Sequence, residues 1–374
     1  MAESGLIQEH QAVPAQNAEK VQPDNALRTV KMVQNKHAQL KKEREPISKD
    51  WSEYTRFYNG DQYRNNNINV LQDSPKKVGD NIKVPFNVLQ SAIQGIVPIM
   101  TDLAPSFEAL PQEPADFQLA LIVSDLQNDW WHKYGMQQKL VEWVTDAMVL
   151  DGAISKTVWN PDLMHGIGDV EAKVIDPNKF WTNFEATGTQ RSQGCGVCIE
   201  EITKSVGTWK RLFPKMAPFI KADSPTPTNK DAGKESAGLQ SPVTEISQFD
   251  NQKAQAKQGG ENATALEMWV DDETMVEIAL EEKDEKGKNI KGLKKKYPNG
   301  RHIIILNKQN LLLLDDNNPY EGDEFNPYDI LKNRVVSRQF WGHGECRHGI
   351  DNQKLFNKSI NDVANYINKS GQPW

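Results

Sequence analysis

Between Leu150 and Ile154 the spacing of apolar residues changes from a helical period to a strand period, and this switch constrains the fold of the 374-residue chain more than anything else in it. Before it, Val88, Ile93, Ile96, Val97 and Met100 mark one face of a helix over Pro85–Asp102, which opens on a proline at a first-turn position. Pro98 lies inside that pattern and should kink or end the helix. A second helical stretch, Ala115–Leu150, carries Leu119, Ile122, Leu126, Trp130, Leu140, Trp143, Val144 and Met148. Gly135 should break it in two, and its tryptophans point to burial between neighbours. After the switch, Val170, Ala172 and Val174 alternate with Glu171 and Lys173, so Ile154–Asn160 and Asp169–Asp176 read as a hairpin. Gly196–Ile202 is a further strand, followed by a short helix capped at Thr203 or Ser205. Strands resume at Ala265–Val270 and Met275–Leu280, before a charged loop. A second hairpin, His302–Leu306 with Leu311–Leu314, opens on Pro298-Asn299-Gly300. A helical half followed by antiparallel strands gives an α+β fold.

The flanks are more polar. Residues 1–46 are rich in Gln, Asn, Ala and Lys and read as a flexible arm with one helix near Ala26–Glu45, its KKERE run a solvated face. Trp51, Tyr54 and Tyr58 recur at helical spacing, as core residues, up to a stop at Asn59-Gly60. Residues 223–262 form a low-complexity insertion dominated by Pro, Ser, Gly, Gln and Lys. Near the end, Leu355, Ile360, Val363 and Ile367 predict a helix over Asp351–Asn368, with Gly371 as its stop. No run of 18 apolar residues occurs, so no membrane-spanning helix is expected, and the N-terminus lacks the basic and apolar regions of a secretory signal. Three cysteines make no disulfide framework and point to a reducing compartment. The net charge of -7 argues against tight wrapping of nucleic acid, but not against DNA sliding past a surface that repels phosphate.

Two constellations carry possible chemistry. Pro161-Asp162 followed by Glu171-Ala172-Lys173 matches the loose pattern of metal-dependent nucleases, in which two carboxylates hold a divalent ion and a lysine serves the attacking water. The bland alternative is a turn aspartate and the solvent face of a strand. Cys195 and Cys198, with Cys346 and His343 or His348, could bind zinc, but on a regular strand the first two would point to opposite faces and read as small buried thiols. No phosphate loop, dinucleotide fingerprint, nucleophile elbow or zinc-protease motif is present. Together with the acidic charge this favours a structural or assembly protein that needs no cofactor.

Five stretches then stand out by their order: YNGDQY (58–63), VPFNVLQSAIQGIVPIMTDLAPSFEALP (84–111), VIDPNKFWTNFEAT (174–187), YPNGRHIIILNKQNLLLLDDNNPY (297–320) and QFWGHGECRHGIDNQKLFNKSINDVAN (339–365). In this order they resemble the portal (head–tail connector) proteins of tailed bacteriophages of the short-tailed type. The resemblance implies a wing of long helices and antiparallel hairpins, divided into 47–222 and 263–335, and then a turn and the start of a stem-type helix over 336–374. Portal chains normally continue through a clip and a second stem helix, so a chain ending at Trp374 is expected to be C-terminally truncated. The family's role implies a homo-oligomeric ring, as a rule a dodecamer, at one capsid vertex of the virion, assembled in the host cytoplasm. Double-stranded DNA passes through it non-specifically during packaging and genome ejection. Expected partners are capsid and scaffolding proteins, the terminase large subunit and tail adaptor proteins. The candidates for facing the DNA channel are Lys354, Lys358, Asn361 and Asp362. The 297–320 hairpin is expected to brace the last helix.

Overall fold

The computed structural model of the chain describes residues 24–63, 84–223, 261–283 and 289–370. Among the described residues four α-helices come first: α1 (Asp24–Tyr58), α2 (Val88–Thr101), α3 (Phe117–Lys133) and α4 (Met136–Val149). Strands β1 (Ala153–Asn160), β2 (Asp169–Ile175), β3 (Phe180–Thr182) and β4 (Val197–Ser205) follow, with α5 at Val206–Leu212. After residue 261 come β5 (Asn262–Val270), β6 (Met275–Lys283), β7 (Asn289–Lys295), β8 (Arg301–Leu306), β9 (Leu311–Asn317) and β10 (Tyr328–Leu331). The long helix α6 (Glu345–Ser370) is last. Every strand pairing is antiparallel, in sheets ordered β10-β1-β2, β3-β4-β5-β8-β9 and β6-β7, which makes the fold α+β.

Local signals set most of these boundaries. The Asn87 side chain accepts from Gln90 N and starts α2, and Ser205 accepts from Thr208 N at 3.2 Å and starts α5. Gly135, at φ +59°, separates α3 from α4. Pro98 does not stop α2 where it stands; the helix ends one turn later, at Thr101. The segment expected as a charged loop after Leu280 contains β7, paired with β6.

α1 departs most from expectation. The helix expected near Ala26–Glu45 is present, but it does not end within an arm: residues 24–46 form the first part of one continuous helix that passes through Pro46. Proline removes an intrahelical hydrogen bond and crowds the preceding turn. Here both sides of it are anchored. Val30, Val33 and Leu40 pack on Ile199, Leu266, Met268, Ile303 and Ile305 of the five-stranded sheet, while Trp51, Tyr54, Phe57 and Tyr58 enter a second core among the helices. Between them Arg44, read from sequence as part of a solvated face, gives its guanidinium hydrogens to the carbonyls of Pro177 (2.7 Å), Asn178 (2.6 Å) and Phe180. It lies over the rings of Trp51 and Trp181, and burial lowers its pKa to about 10.

The β8–β9 hairpin forms as expected but does not brace the last helix. Ile303 and Ile305 face α1, while Leu306, Leu311 and Leu313 pack with Val206 and Trp209 of α5. α6 packs on α1, α2 and α4 instead.

The face of the five-stranded sheet turned away from α1 carries charge. Glu200 and Glu267 are register partners on β4 and β5, a like-charge pair that weakens a ladder when left alone. Lys156 of β1 enters between them, 2.7 Å from Glu200 Oε2 and in contact with Glu267 Oε2. Its own register partner, Tyr328 of β10, donates to Glu200 Oε2 at 2.7 Å. His302 bonds Glu267 Oε1 at 2.9 Å and stacks on Trp269. Burial acting alone would pull Lys156 down and push Glu267 up. Their mutual attraction outweighs it and holds the lysine above, and the carboxyl below, its ordinary value.

Removing the lysine leaves two buried carboxylates facing each other, so Lys156→Met should cost about 3–5 kcal/mol in a denaturant titration. Adding Glu200→Gln and Glu267→Gln should recover part of that loss. Because the folded Glu267 carboxyl titrates below its unfolded value of 4.5, the stability it contributes is complete above that pH and is lost as the pH falls through the range beneath it. Acid unfolding followed by circular dichroism should be less steep in Glu267→Gln.

Candidate functional site

α6 has three faces. Its buried stripe is Cys346, Ile350, Gln353, Asn357 and Asn361, and the last three are amides four residues apart. Four residues of helix advance about 6 Å, and two residues of extended chain about 6.6–6.8 Å. Successive amides therefore meet alternate residues of an extended segment laid along the helix. Asn361 Oδ1 accepts from Val84 N (2.8 Å) and its Nδ2 donates to Val84 O (3.1 Å). Asn357 Oδ1 accepts from Phe86 N (3.0 Å), and Gln353 Nε2 donates to Phe86 O (2.6 Å). Gln353 Oε1 also accepts from Leu89 N (2.9 Å), in the first turn of α2. The side chains thus do for residues 84–86 what a neighbouring strand would do, and Gln353 also serves an N–H of the first turn of α2. Gln62, just past α1, accepts from Asn357 Nδ2 and donates to the cap residue Asn87. The ladder therefore ties α1, α2 and α6 together.

The same arrangement recurs on α3. Asn128 holds Phe107 through both its N–H (3.0 Å) and its carbonyl (3.1 Å), and Ser124 Oγ accepts from Ala109 N (2.8 Å).

The turn into α6 is fixed by Asp151, a residue at φ +67° between α4 and β1. Its buried carboxylate accepts from Gly344 N (2.7 Å), Trp51 Nε1 (3.3 Å) and Arg347 Nη1 (3.2 Å), and its carbonyl accepts from Gly342 N (2.9 Å). Burial, the largest influence, raises the carboxyl above its ordinary value against the pull of these partners. A Cβ on Gly342 would lie 2.5 Å from Arg334 O, and one on Gly344 would lie 2.5 Å from Met148 O. The Trp-Gly-His-Gly sequence is therefore required by the close approach of two backbones.

Of the four channel candidates, Lys354, Lys358 and Asp362 lie exposed on one side of α6. Lys354 pairs with Glu53 at 2.9 Å and lies over Phe57. Asn361 is not on that side: the backbone of Val84, bonded through both its N–H and its carbonyl, draws it inward. On the third side Leu355, Val363 and Ile367 are 64%, 59% and 62% exposed. Leu119, Ile122 and Leu126 of α3, expected between neighbours, are also exposed within this chain. Of α3, Ala120 and Trp131 are the buried residues.

The nuclease and zinc constellations do not assemble. Asp162 is an exposed partner of Arg211 (2.9 Å), whereas Glu171 is held by Lys173 (2.8 Å) and Asn160 (2.7 Å). Cys195 and Cys198 do meet, with sulfurs 3.4 Å apart, because β4 starts at Val197 and leaves Cys195 in the preceding turn rather than on the strand. Cys346 lies apart from them in the first turn of α6. Among the described residues no three metal-ligating side chains come together, and no helix is long and apolar enough to cross a membrane.

Sequence reasoning missed Gln353, Asn357 and Asp151 as structural determinants. The amide repeat at 353, 357 and 361 was a legible signal; the partner of Asp151, nearly 200 residues away, was not.

A family model described as phage P22-like portal protein matches residues 43–374. No curated protein matches the chain.

Asn357→Leu removes the acceptor of the half-buried Phe86 N–H bond and should destabilise the fold by about 1 kcal/mol. Hydrogen exchange at Phe86 should accelerate more than exchange in β5. Gly344→Ala forces backbone against backbone and should cost about 1–3 kcal/mol, read as a lowered Tm.

Proposed function

The chain belongs to the family of phage P22-like portal proteins, and from that membership we propose that its copies close a ring at one vertex of the capsid, through which double-stranded DNA is packaged and ejected. It is a structural phage portal protein, and the family model covers the end of α1, the later helices, both larger sheets and α6 alike. The observation that carries the ring-forming reading is the distribution of apolar surface. α6 buries amides within its own chain and exposes Leu355, Val363 and Ile367, the reverse of what an isolated helix of a monomer requires. A second copy supplies the missing cover. α3 needs the same, with Leu119, Ile122 and Leu126 outward.

In this reading α6 is the start of the stem. Its apolar side contacts the next subunit, and the side bearing Lys354, Lys358 and Asp362 turns towards the channel. Two lysines and one aspartate lie there, and one of the two lysines is already neutralised by Glu53. Such a wall holds phosphate weakly, as passage of DNA demands, and the net charge of -7 acts in the same direction. Residues 47–222 and 263–335 form the wing. The terminase large subunit, scaffolding proteins and tail adaptors are the partners this role calls for.

Light scattering of the purified protein, with negative-stain images of the same fraction, tests the reading. Rings with a central hole are the expected result. Leu355→Asp combined with Val363→Asp should leave the circular dichroism unchanged and shift the mass to the monomer. If the double variant still forms rings, α6 does not carry the subunit contact.

A further inference from the structure

We propose that Cys195 and Cys198 form a redox couple that is a dithiol while the protein is made and becomes an intramolecular disulfide once it meets a small peroxide. The two sulfurs are 3.4 Å apart in the core, and a disulfide bond measures about 2.05 Å. Little more than a small rotation of each side chain separates the two states. Cys195 sits in the turn between Gly194 and Gly196, where a Cβ added at Gly196 would meet no atom within 4 Å, so the turn has room to adjust. Thr182 Oγ1 also touches Cys195 Sγ at 3.4 Å, while the threonine's one hydroxyl hydrogen is committed to Val197 O at 2.8 Å. The Cys198 thiol also faces Cys195.

That arrangement assigns the roles. The hydrogen bond from Cys198 lowers the pKa of Cys195, whereas burial pushes Cys198 well up. Cys195 is therefore the attacking thiolate. It displaces hydroxide from hydrogen peroxide, giving a sulfenic acid and, after protonation of the hydroxide, water. The Cys198 sulfur then attacks the sulfenic sulfur, a second hydroxide leaves and takes up the Cys198 proton, and the S–S bond closes. Two thiols and one peroxide become one disulfide and two waters. Both thiols are buried, which disfavours attack by a bulky disulfide such as oxidised glutathione relative to a small peroxide. The bond would pin the turn before β4 to the strand that carries Glu200. Resting on the portal reading, the consequence is a wing that assembles with free thiols in a reducing host and is tightened when the particle is released into an oxidising medium.

Cys346→Ser protein, which retains only this pair, is treated with hydrogen peroxide while folded, then unfolded, alkylated and weighed by mass spectrometry. The expected species is a monomer lighter by two hydrogens, carrying no alkyl group and reverting with dithiothreitol. Cys195→Ser/Cys346→Ser protein should not form it. Two alkylated thiols after treatment, or added oxygens without loss of hydrogen, would overturn the proposal. This test needs no ring, so its outcome is separate from that of the light scattering. The chain taken from released particles should be mostly oxidised and the chain from freshly opened cells mostly reduced; equal thiol content in the two would overturn the assembly-linked consequence.

Discussion

Lys156 is the point on which the two larger sheets depend. Its ammonium ends between two glutamates that the β4–β5 register places side by side, so neither sheet surface could be buried without it. A buried charge is tolerated only when its partners are fixed. Tyr328 and His302 do that fixing, one from the sheet of Lys156 and one from the opposing sheet. The cluster therefore specifies how the β10-β1-β2 sheet is set on the five-stranded one. Apolar contacts alone would accept a slide of one residue, whereas an ammonium between two carboxylates does not.

The helices solve a different problem by a different means. Residues 84–86 and 107–109 run beside a helix without a neighbouring strand, and their backbone groups need partners. Amides and a hydroxyl at every fourth helical position provide them, on α6 for the first segment and on α3 for the second. A helix engaged in this way gives its polar side chains to its own subunit. Beyond Cys346 and Ile350, which enter the chain's own core, the apolar side chains Leu355, Val363 and Ile367 of α6 stay exposed within the chain.

The Asp151 turn connects the two regimes. One buried carboxylate receives hydrogens from α1, from the entry to α6 and from its first turn, at the point where α4 gives way to β1. The direction in which α6 leaves the body is thus set by the junction between the helical and sheet halves of the chain.

The sequence by itself determined the change from helices to strands near residue 150, the split at Gly135, both hairpins, the last helix and, through the order of five short stretches, the family. These are local properties: hydrophobic period, turn chemistry and capping act over a few residues and leave their mark in order along the chain. Only the tertiary structure decided that α1 runs through Pro46, because the anchors that hold it, the carbonyls of residues 177–180, lie more than 130 residues away. The same holds for Asn361, whose inward turn depends on an extended segment 277 residues earlier in the chain, and for the meeting of Cys195 with Cys198, which depends on where β4 begins. Polar residues in particular cannot be placed by pattern alone. Whether an amide faces water or the core is settled by which backbone groups the fold leaves without a partner, and that is a property of distant segments brought together.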